Sequence, residues 1–275
     1  METGAWVLCE KPLCASLEEL DRIVESEKRT GCRTASVFQW RFGSAAQHLK
    51  RMFEEGSLGA MYTGVCNTTW YRDQAYYDVP WRGTWESELG GVTMGHGIHL
   101  TDLFLWLAGE WLEVKAMTGT LARNIEVEDV SSALVRFRNG AMGTVLTTVL
   151  APRQETYLRL DFEEATVETR GLYSVSNDNW SIDRGERSQE EASDPVIERW
   201  NAISGDVAGG HEAQIEHMLA DMREGRRPDT SGDGVRRTLE FITALYKSAF
   251  TGETVQAGSI GPGDPFYTTI HGGQG

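Results

Sequence analysis

Cysteine is scarce in this sequence: four residues in 275, at Cys9, Cys14, Cys32 and Cys66, with no C-x-x-C spacing. Four cannot staple a chain of this size, so a disulfide scaffold is excluded and a reducing, cytoplasmic compartment is expected. Long apolar runs are absent as well. The longest, residues 103–108, is far too short to cross a bilayer. The first residues carry no basic stretch ahead of an apolar core, so no signal peptide is expected. Basic side chains are outnumbered, 26 against 41 acidic, for a net charge of −15. That balance argues against nucleic acid or an anionic membrane as the main partner and reads most simply as solubility. Internal repeats and low-complexity runs are missing. So is a glycine-rich phosphate loop ahead of Lys11, which only ten residues precede. The glycine clusters Gly95-His96-Gly97 and Gly261-Pro262-Gly263 lack the strand–turn–helix setting of a dinucleotide fingerprint.

What is present is a globular composition, 40% hydrophobic and 24% charged, in a chain long enough for one large domain or two modest ones. The run Trp6-Val7-Leu8-Cys9, ended by Glu10-Lys11-Pro12, reads as a short buried strand. Ser16-Leu17-Glu18-Glu19 is a capping box, in which the serine accepts from the N3 amide and Glu19 reaches back. Leu17, Leu20, Ile23 and Val24 share one helix face, and Gly31 suits the C′ position. Residues 34–40 read as a second strand. Strand, helix and strand within about 35 residues form a βαβ unit, whose handedness makes the strands parallel.

Further on, a helix is expected at 44–55, a long strand at 61–71, an aromatic-rich loop at 76–85 and a helix at 98–108. Extended stretches follow at 113–121, 131–138, 141–150, 157–162 and 165–169. Asn139-Gly140 is a two-residue hairpin signal, and the block reads as an antiparallel sheet. Residues 174–206 are polar and weakly patterned, which suggests a loop covering the sheet. Two helices close the chain. In the first, 211–223, Ile215, Met218, Leu219 and Met222 should face inward. In the second, 234–250, the inward residues are Leu239, Ile242, Leu245 and Tyr246. The glycine-rich tail after residue 254 should fray.

Three constellations carry chemistry. Lys11, just past a strand, can lie in a partly desolvated crevice at the strand's carboxyl end, where burial lowers a lysine's proton affinity and suits it to relay work; otherwise it is a surface lysine. His99 and Asp102 are i and i+3 on a helix and share a face, with histidine the usual acid–base group near neutral pH; otherwise the histidine packs a helix start. The preceding Gly90-Gly91 can let backbone approach a ligand. With His96 the run becomes H-x-x-H-x-x-D, a face that could hold zinc for hydrolysis, although it lacks the usual H-E-x-x-H spacing and no metal site is assigned. Finally, Trp70, Tyr71, Tyr76, Tyr77, Trp81 and Trp85 with Arg72 and Arg82 could grip a polyhydroxylated ring, or fill the core or a subunit contact.

Taken in order, these residues resemble the glucose–fructose oxidoreductase / inositol dehydrogenase / MocA superfamily. Leu8-Cys9-Glu10-Lys11-Pro12-Leu13 is similar to the family's lysine motif, and Gln39-Trp40-Arg41-Phe42 to the segment leaving its nucleotide domain. Trp81-Arg82-Gly83-Thr84-Trp85 is similar to a loop of sugar-active members. Gly90-Gly91 through His99 to Asp102 resembles the histidine helix, and His211 with Gln214 and Gly232-Asp233-Gly234 resemble the closing helices. The likeness spans nearly the whole chain. It implies an α/β fold in which a remnant of a Rossmann-type parallel sheet, residues 1–41, precedes an α+β domain with a large, mainly antiparallel open sheet, residues 42–260, and a tail, 261–275.

It also implies an NAD- or NADP-dependent dehydrogenase of a sugar, inositol or related polyol, homo-oligomeric through the sheet. Lys11 and His99 would be catalytic. Glu10, Lys11, Pro12 and Arg41 would border the cofactor, and His96, Asp102, Trp81 and Arg82 the substrate. Two departures stand out. The family often has aspartate four residues before the histidine, where this chain has Gly95; His96 is expected to fill part of that gap. The family's glycine-fingerprint half is also not found, so on the order of ninety residues are expected to be missing from the front, at roughly 30 per βαβ unit. A shortened, non-catalytic sugar-binding or assembly module is the alternative, and a metal-dependent hydrolase the third reading.

Overall fold

Strands β1 (Val7–Cys9) and β2 (Thr34–Ser36) pair in parallel, Val7 opposite Thr34 and Cys9 opposite Ser36, in a computed structural model that describes residues 1–186 and 194–274. Helix α1 (Leu17–Thr30) is the crossover between them. Ser16 Oγ accepts from the Glu19 amide at 3.2 Å. The Glu19 carboxylate reaches one residue further back than a capping box requires, to the Ala15 amide at 2.8 Å. Leu17 and Leu20 are fully buried, each worth about 1.5–3 kcal/mol of apolar burial, while Ile23 and Val24 are half-buried.

Two expectations fail in this unit. β1 is not a buried strand: Val7 is 37% exposed, because the sheet has only two strands and leaves β1 an open edge. β2 stops at Ser36, and Gln39–Phe42 winds into a 3-10 turn instead of continuing the strand. The Gln214 side chain takes over the ladder there, accepting from the Phe38 amide at 3.0 Å and donating to the Ser36 carbonyl at 2.7 Å.

Helix α2 (Ser44–Glu54) leads to the long strand β3 (Met61–Tyr71). The aromatic segment after it contains two single helical turns, α3 (Gln74–Tyr77) and α4 (Trp85–Glu88), started by the side chains of Asp73 and Thr84. In α5 (Ile98–Ala108) every residue except His99 is buried. Strands β4 (Trp111–Gly119), β5 (Val130–Phe137), β6 (Met142–Thr148), β7 (Leu150–Phe162), β8 (Thr166–Gly171), β9 (Trp180–Asp183) and the late β10 (Val255–Gln256) join β3 in an eight-stranded sheet, ordered β10-β4-β5-β6-β3-β7-β8-β9. Neighbours run antiparallel except β3 and β6, which are parallel. Asn139-Gly140 is the β5–β6 hairpin, with Gly140 at φ 92°. Gly64 and Gly143 face each other across β3 and β6, and the Phe104 ring of α5 lies where their side chains would be.

The last part of the chain is more structured than its composition suggests. The segment expected as a covering loop contributes β9 to the sheet edge and α6 (Pro195–Asn201), which buries Val196 and Trp200; its residues 187–193 lie outside the described residues. α7 (His211–Glu224) buries Ala213, Gln214 and Met218, not the expected apolar stripe: Ile215, Leu219 and Met222 are exposed. The hydrogen bonds of Gln214 set the rotation of this helix. α8 (Asp233–Thr251) packs on β4 and α5 on β3, and the two helices touch each other. The tail does not fray over its described part. β10 pairs with β4, and α9 (Pro265–Thr268) docks on α1, burying Phe266 and Ile270, with the Tyr267 hydroxyl donating to Asp21 at 2.7 Å. One continuous apolar core includes Leu17, Trp40, Leu49, Leu103, Val145, Ile242 and Phe266.

Candidate active site

β1 delivers Lys11 to the start of α5. Lys11 Nζ donates to the Gly95 carbonyl at 2.6 Å. Gly95 belongs to a π-helical turn, Thr93–Gly97, that runs directly into α5; such wide turns recur at functional sites. Burial pushes the Lys11 ammonium below its ordinary pKa, against the pull of the Glu10 and Glu88 carboxylates. A cleft of about 330 Å³ opens beside it, lined among others by Lys11, Pro12, Tyr76, Trp81, Arg82, Glu88, Gly95 and His96. Arg82 forms one wall. Its guanidinium lies 3.9 Å from the Tyr76 ring centre and 4.1 Å from that of Trp81, donates to the Tyr76 hydroxyl, and pairs with Glu88 at 3.4 Å.

The two histidines differ in setting. His96 borders the cleft, its Nε2 lying 3.4 Å from the Tyr76 hydroxyl. Burial, then the charges of Arg72, Lys11 and Arg82, push its pKa down to about 3. His99, on the next turn, packs against Trp40 with ring centres 5.6 Å apart. Burial, then the charges of Lys11 and His211, push it also down to about 3. Both imidazoles are therefore neutral near pH 7, and the Nδ1 of each is buried without a hydrogen-bond partner. The sequence put Lys11 and His99 at one reacting centre. Lys11 and His96 share the cleft; His99 is not among the residues that line it and lies within reach of the Lys11 charge.

Arg41 and Asp102, expected beside cofactor and substrate, meet each other instead. Arg41 Nε donates to Asp102 at 2.6 Å, and its Nη2 bonds the second carboxylate oxygen. Thr238 Oγ1 donates to the same carboxylate at 2.6 Å, and the Asp229 and Gly234 carbonyls each accept a further guanidinium hydrogen. Each side chain is 1% exposed. Arg41 borders a different cavity, of about 460 Å³, shared with Lys50 and Arg237. This buried, hydrogen-bonded pair ties the 3-10 turn, α5 and α8 together, and removing one partner of such a pair typically costs about 3–5 kcal/mol. With Asp102 so engaged, H-x-x-H-x-x-D does not converge: among the described residues no three His, Cys, Asp or Glu side chains are grouped to hold a metal ion.

Gly90-Gly91 makes room for protein, not for a ligand. A Cβ on Gly91 would stand 1.9 Å from the Glu128 carbonyl oxygen, and one on Gly90, at φ 147°, 2.3 Å from the Tyr246 hydroxyl. Glu128 is the residue that sequence reasoning missed here. Its buried carboxylate accepts from the Gly91 and Thr93 amides at 3.0 and 2.9 Å and from the Tyr246 hydroxyl at 2.9 Å, and so holds the start of the π turn. Its place in an ordinary-looking acidic run, Glu126-Val127-Glu128-Asp129, carries no signal. Glu10 is exposed, 3.1 Å from His211 Nε2 on α7. Tyr76 and Glu88 gain their importance only through Arg82.

A WlbA dehydrogenase from Bordetella pertussis, solved with NADH and UDP-GlcNAcA, superposes with a TM-score of 0.77 at 32% identity, over 92% of this chain and 72% of that one. A D-apiose dehydrogenase of Paraburkholderia graminis is 25% identical over 99% of this chain and 72% of its own length. A myo-inositol 2-dehydrogenase of Thermotoga maritima is 31% identical over 50% of this chain and 41% of its own length. Residues 46–168 match the model of the GFO/IDH/MocA C-terminal domain. The chain belongs to the GFO/IDH/MocA family of oxidoreductases.

Proposed function

We propose that the protein is an NAD(P)-dependent oxidoreductase that removes hydride from a hydroxyl-bearing carbon of a sugar or related polyol. Its relatives named above are dehydrogenases, and the solved one binds NADH. The observation that carries the reading is the Lys11 ammonium, fixed on the Gly95 carbonyl beside His96 in a cleft with aromatic walls. Open α/β sheets bind ligands outside the carboxyl ends of their strands. Glu10, Lys11 and Pro12 stand at that end of β1 and suit the nicotinamide portion of the cofactor. Lys11 and Pro12 line the cleft, and the unpartnered Nδ1 of His96 beside them leaves polar capacity unused. When bound, the nicotinamide supplies the hydride acceptor.

The chain's own groups manage the proton. Lys11, its ammonium weakened by burial, donates to the substrate oxygen and assists loss of its hydrogen. His99, neutral near pH 7, is the acid–base partner. His96 stands where Gly95 brings no carboxylate. Trp81 covers the C–H face of the sugar ring and Arg82 donates to its hydroxyls. The outer face of the large sheet suits a second copy of the chain. Tyr62, Met117, Leu134 and Met142 are all more than half exposed there, and Leu134 and Met142 line an apolar groove of about 420 Å³. The free cysteines suit a reducing, cytoplasmic setting.

The test is titration of the purified chain with NADH and NADPH, following nicotinamide fluorescence, then turnover on a panel of sugars and inositols. Saturable binding is expected, with Lys11→Ala and His99→Ala each lowering turnover by about 10²-fold or more. Sugar binding without nicotinamide binding would replace this reading with that of a binding module.

A further inference from the structure

Four side chains of the cleft wall form one chain of hydrogen bonds: Glu88, Arg82, Tyr76 and His96. Its polarity follows from the donor inventory. A guanidinium only donates and a carboxylate only accepts. Arg82 therefore donates both to Glu88 and to the Tyr76 oxygen. With that oxygen accepting from Arg82, the Tyr76 hydroxyl hydrogen is free to donate onward. His96 Nε2, 3.4 Å away, is the acceptor in reach. Apo sites often hold such bonds slightly long.

On its far side the imidazole makes no hydrogen bond that would fix the opposite tautomer. His96 Nδ1 has no hydrogen-bond partner, and the Trp70 ring stands perpendicular to the imidazole, 5.2 Å between centres. The Tyr76 ring itself is held in place. It packs at right angles on Tyr77 and lies under the guanidinium groups of Arg82 and Arg72.

We propose that Tyr76 is a further positioning residue of this site: it fixes His96 with the proton on Nδ1 and the Nε2 lone pair toward the phenol, so that His96 acts on the cleft through the Tyr76 hydroxyl. The inference rests on the reading of His96 as part of the oxidoreductase site. The neutral charge of the imidazole, expected from a pKa of about 3, is what makes a single tautomer meaningful. Burial and three neighbouring cations make His96 a poor base by itself. A fixed acceptor lone pair behind a phenol instead holds the hydroxyl of a residue that lines the cleft.

The experiment is a long-range proton–nitrogen correlation spectrum of the full chain near neutral pH, with His96 assigned through His96→Asn. The expected result is the Nδ1–H tautomer for His96. Tyr76→Phe keeps the ring under both guanidiniums but removes the hydroxyl, and should move His96 toward the Nε2–H tautomer. Arg82→Lys keeps a positive charge but loses the fork, and should give a mixture. In turnover, Tyr76→Phe should lower kcat by about tenfold or more with little change in KM. A wild-type His96 protonated on Nε2, or a His96 signal indifferent to Tyr76→Phe, overturns the proposal. The spectra need neither substrate nor cofactor. An indifferent tautomer with nicotinamide binding intact sinks this inference alone. An Nδ1–H tautomer in a protein that binds no nicotinamide sinks the oxidoreductase reading alone.

Discussion

Lys11, His96, His99, Arg41 and Asp102 were all visible in the sequence as chemistry-bearing residues, yet they divide into two groups once placed. Lys11 and His96 reach a cleft, with His99 near them against Trp40; Arg41 and Asp102 neutralise each other in the interior. Nothing local separates the groups, because residue type and helical spacing say which side chains share a face and not which neighbour waits there. The two depressed histidines make a prediction at this scale. Each has a folded pKa near 3 against an ordinary 6.5, so between those values the unfolded chain binds more protons than the folded one. Their contribution to stability is complete above pH 6.5 and is lost as pH falls toward 3, at up to about 1.4 kcal/mol per pH unit for each group. Glu128, raised by burial, acts in the opposite sense at the acid end. Urea unfolding across this window should show a shallower acid slope for His99→Gln than for the wild type. Identical slopes would mean that His99 titrates normally.

Among the elements, those with strong local signals came out as read. The bounds of β3 and α5, the start of α1 at Ser16 and the Asn139-Gly140 hairpin needed only period, caps and turn chemistry. Elements set by a distant partner did not. β2 ends early because Gln214 competes for its ladder, and α7 turns its apolar stripe outward because the same glutamine anchors it. The π turn at Thr93–Gly97 has no local signature, since Glu128 and Lys11, far apart in sequence, hold its start and its middle. A pair of glycine substitutions separates the roles here. Gly91→Ala drives a Cβ into the Glu128 carbonyl and should cost about 1–3 kcal/mol in chemical denaturation, while weakening nicotinamide binding by displacing Gly95. Gly95→Ala meets open space and should be neutral or slightly stabilising. Equal effects of the two would remove Glu128 as the anchor of the turn.

At the scale of the molecule, the large sheet is covered on one side by α5 and α8 and bare over much of the other. An apolar patch of this kind is unusual on a monomer and suits association. Light scattering should therefore find a dimer or larger species, and Leu134→Glu with Met142→Glu should dissociate it without loss of helix signal. A wild-type monomer at micromolar concentration would remove the proposed contact. Family and fold class could be read from the chain itself, because short motifs and periodic burial are local properties. The partition of those residues into a cleft, a buried ion pair and a turn anchor was decided only by the tertiary structure. It depends on which side chains, remote along the chain, compete for the same hydrogen bonds in a space where an unmet polar group is costly.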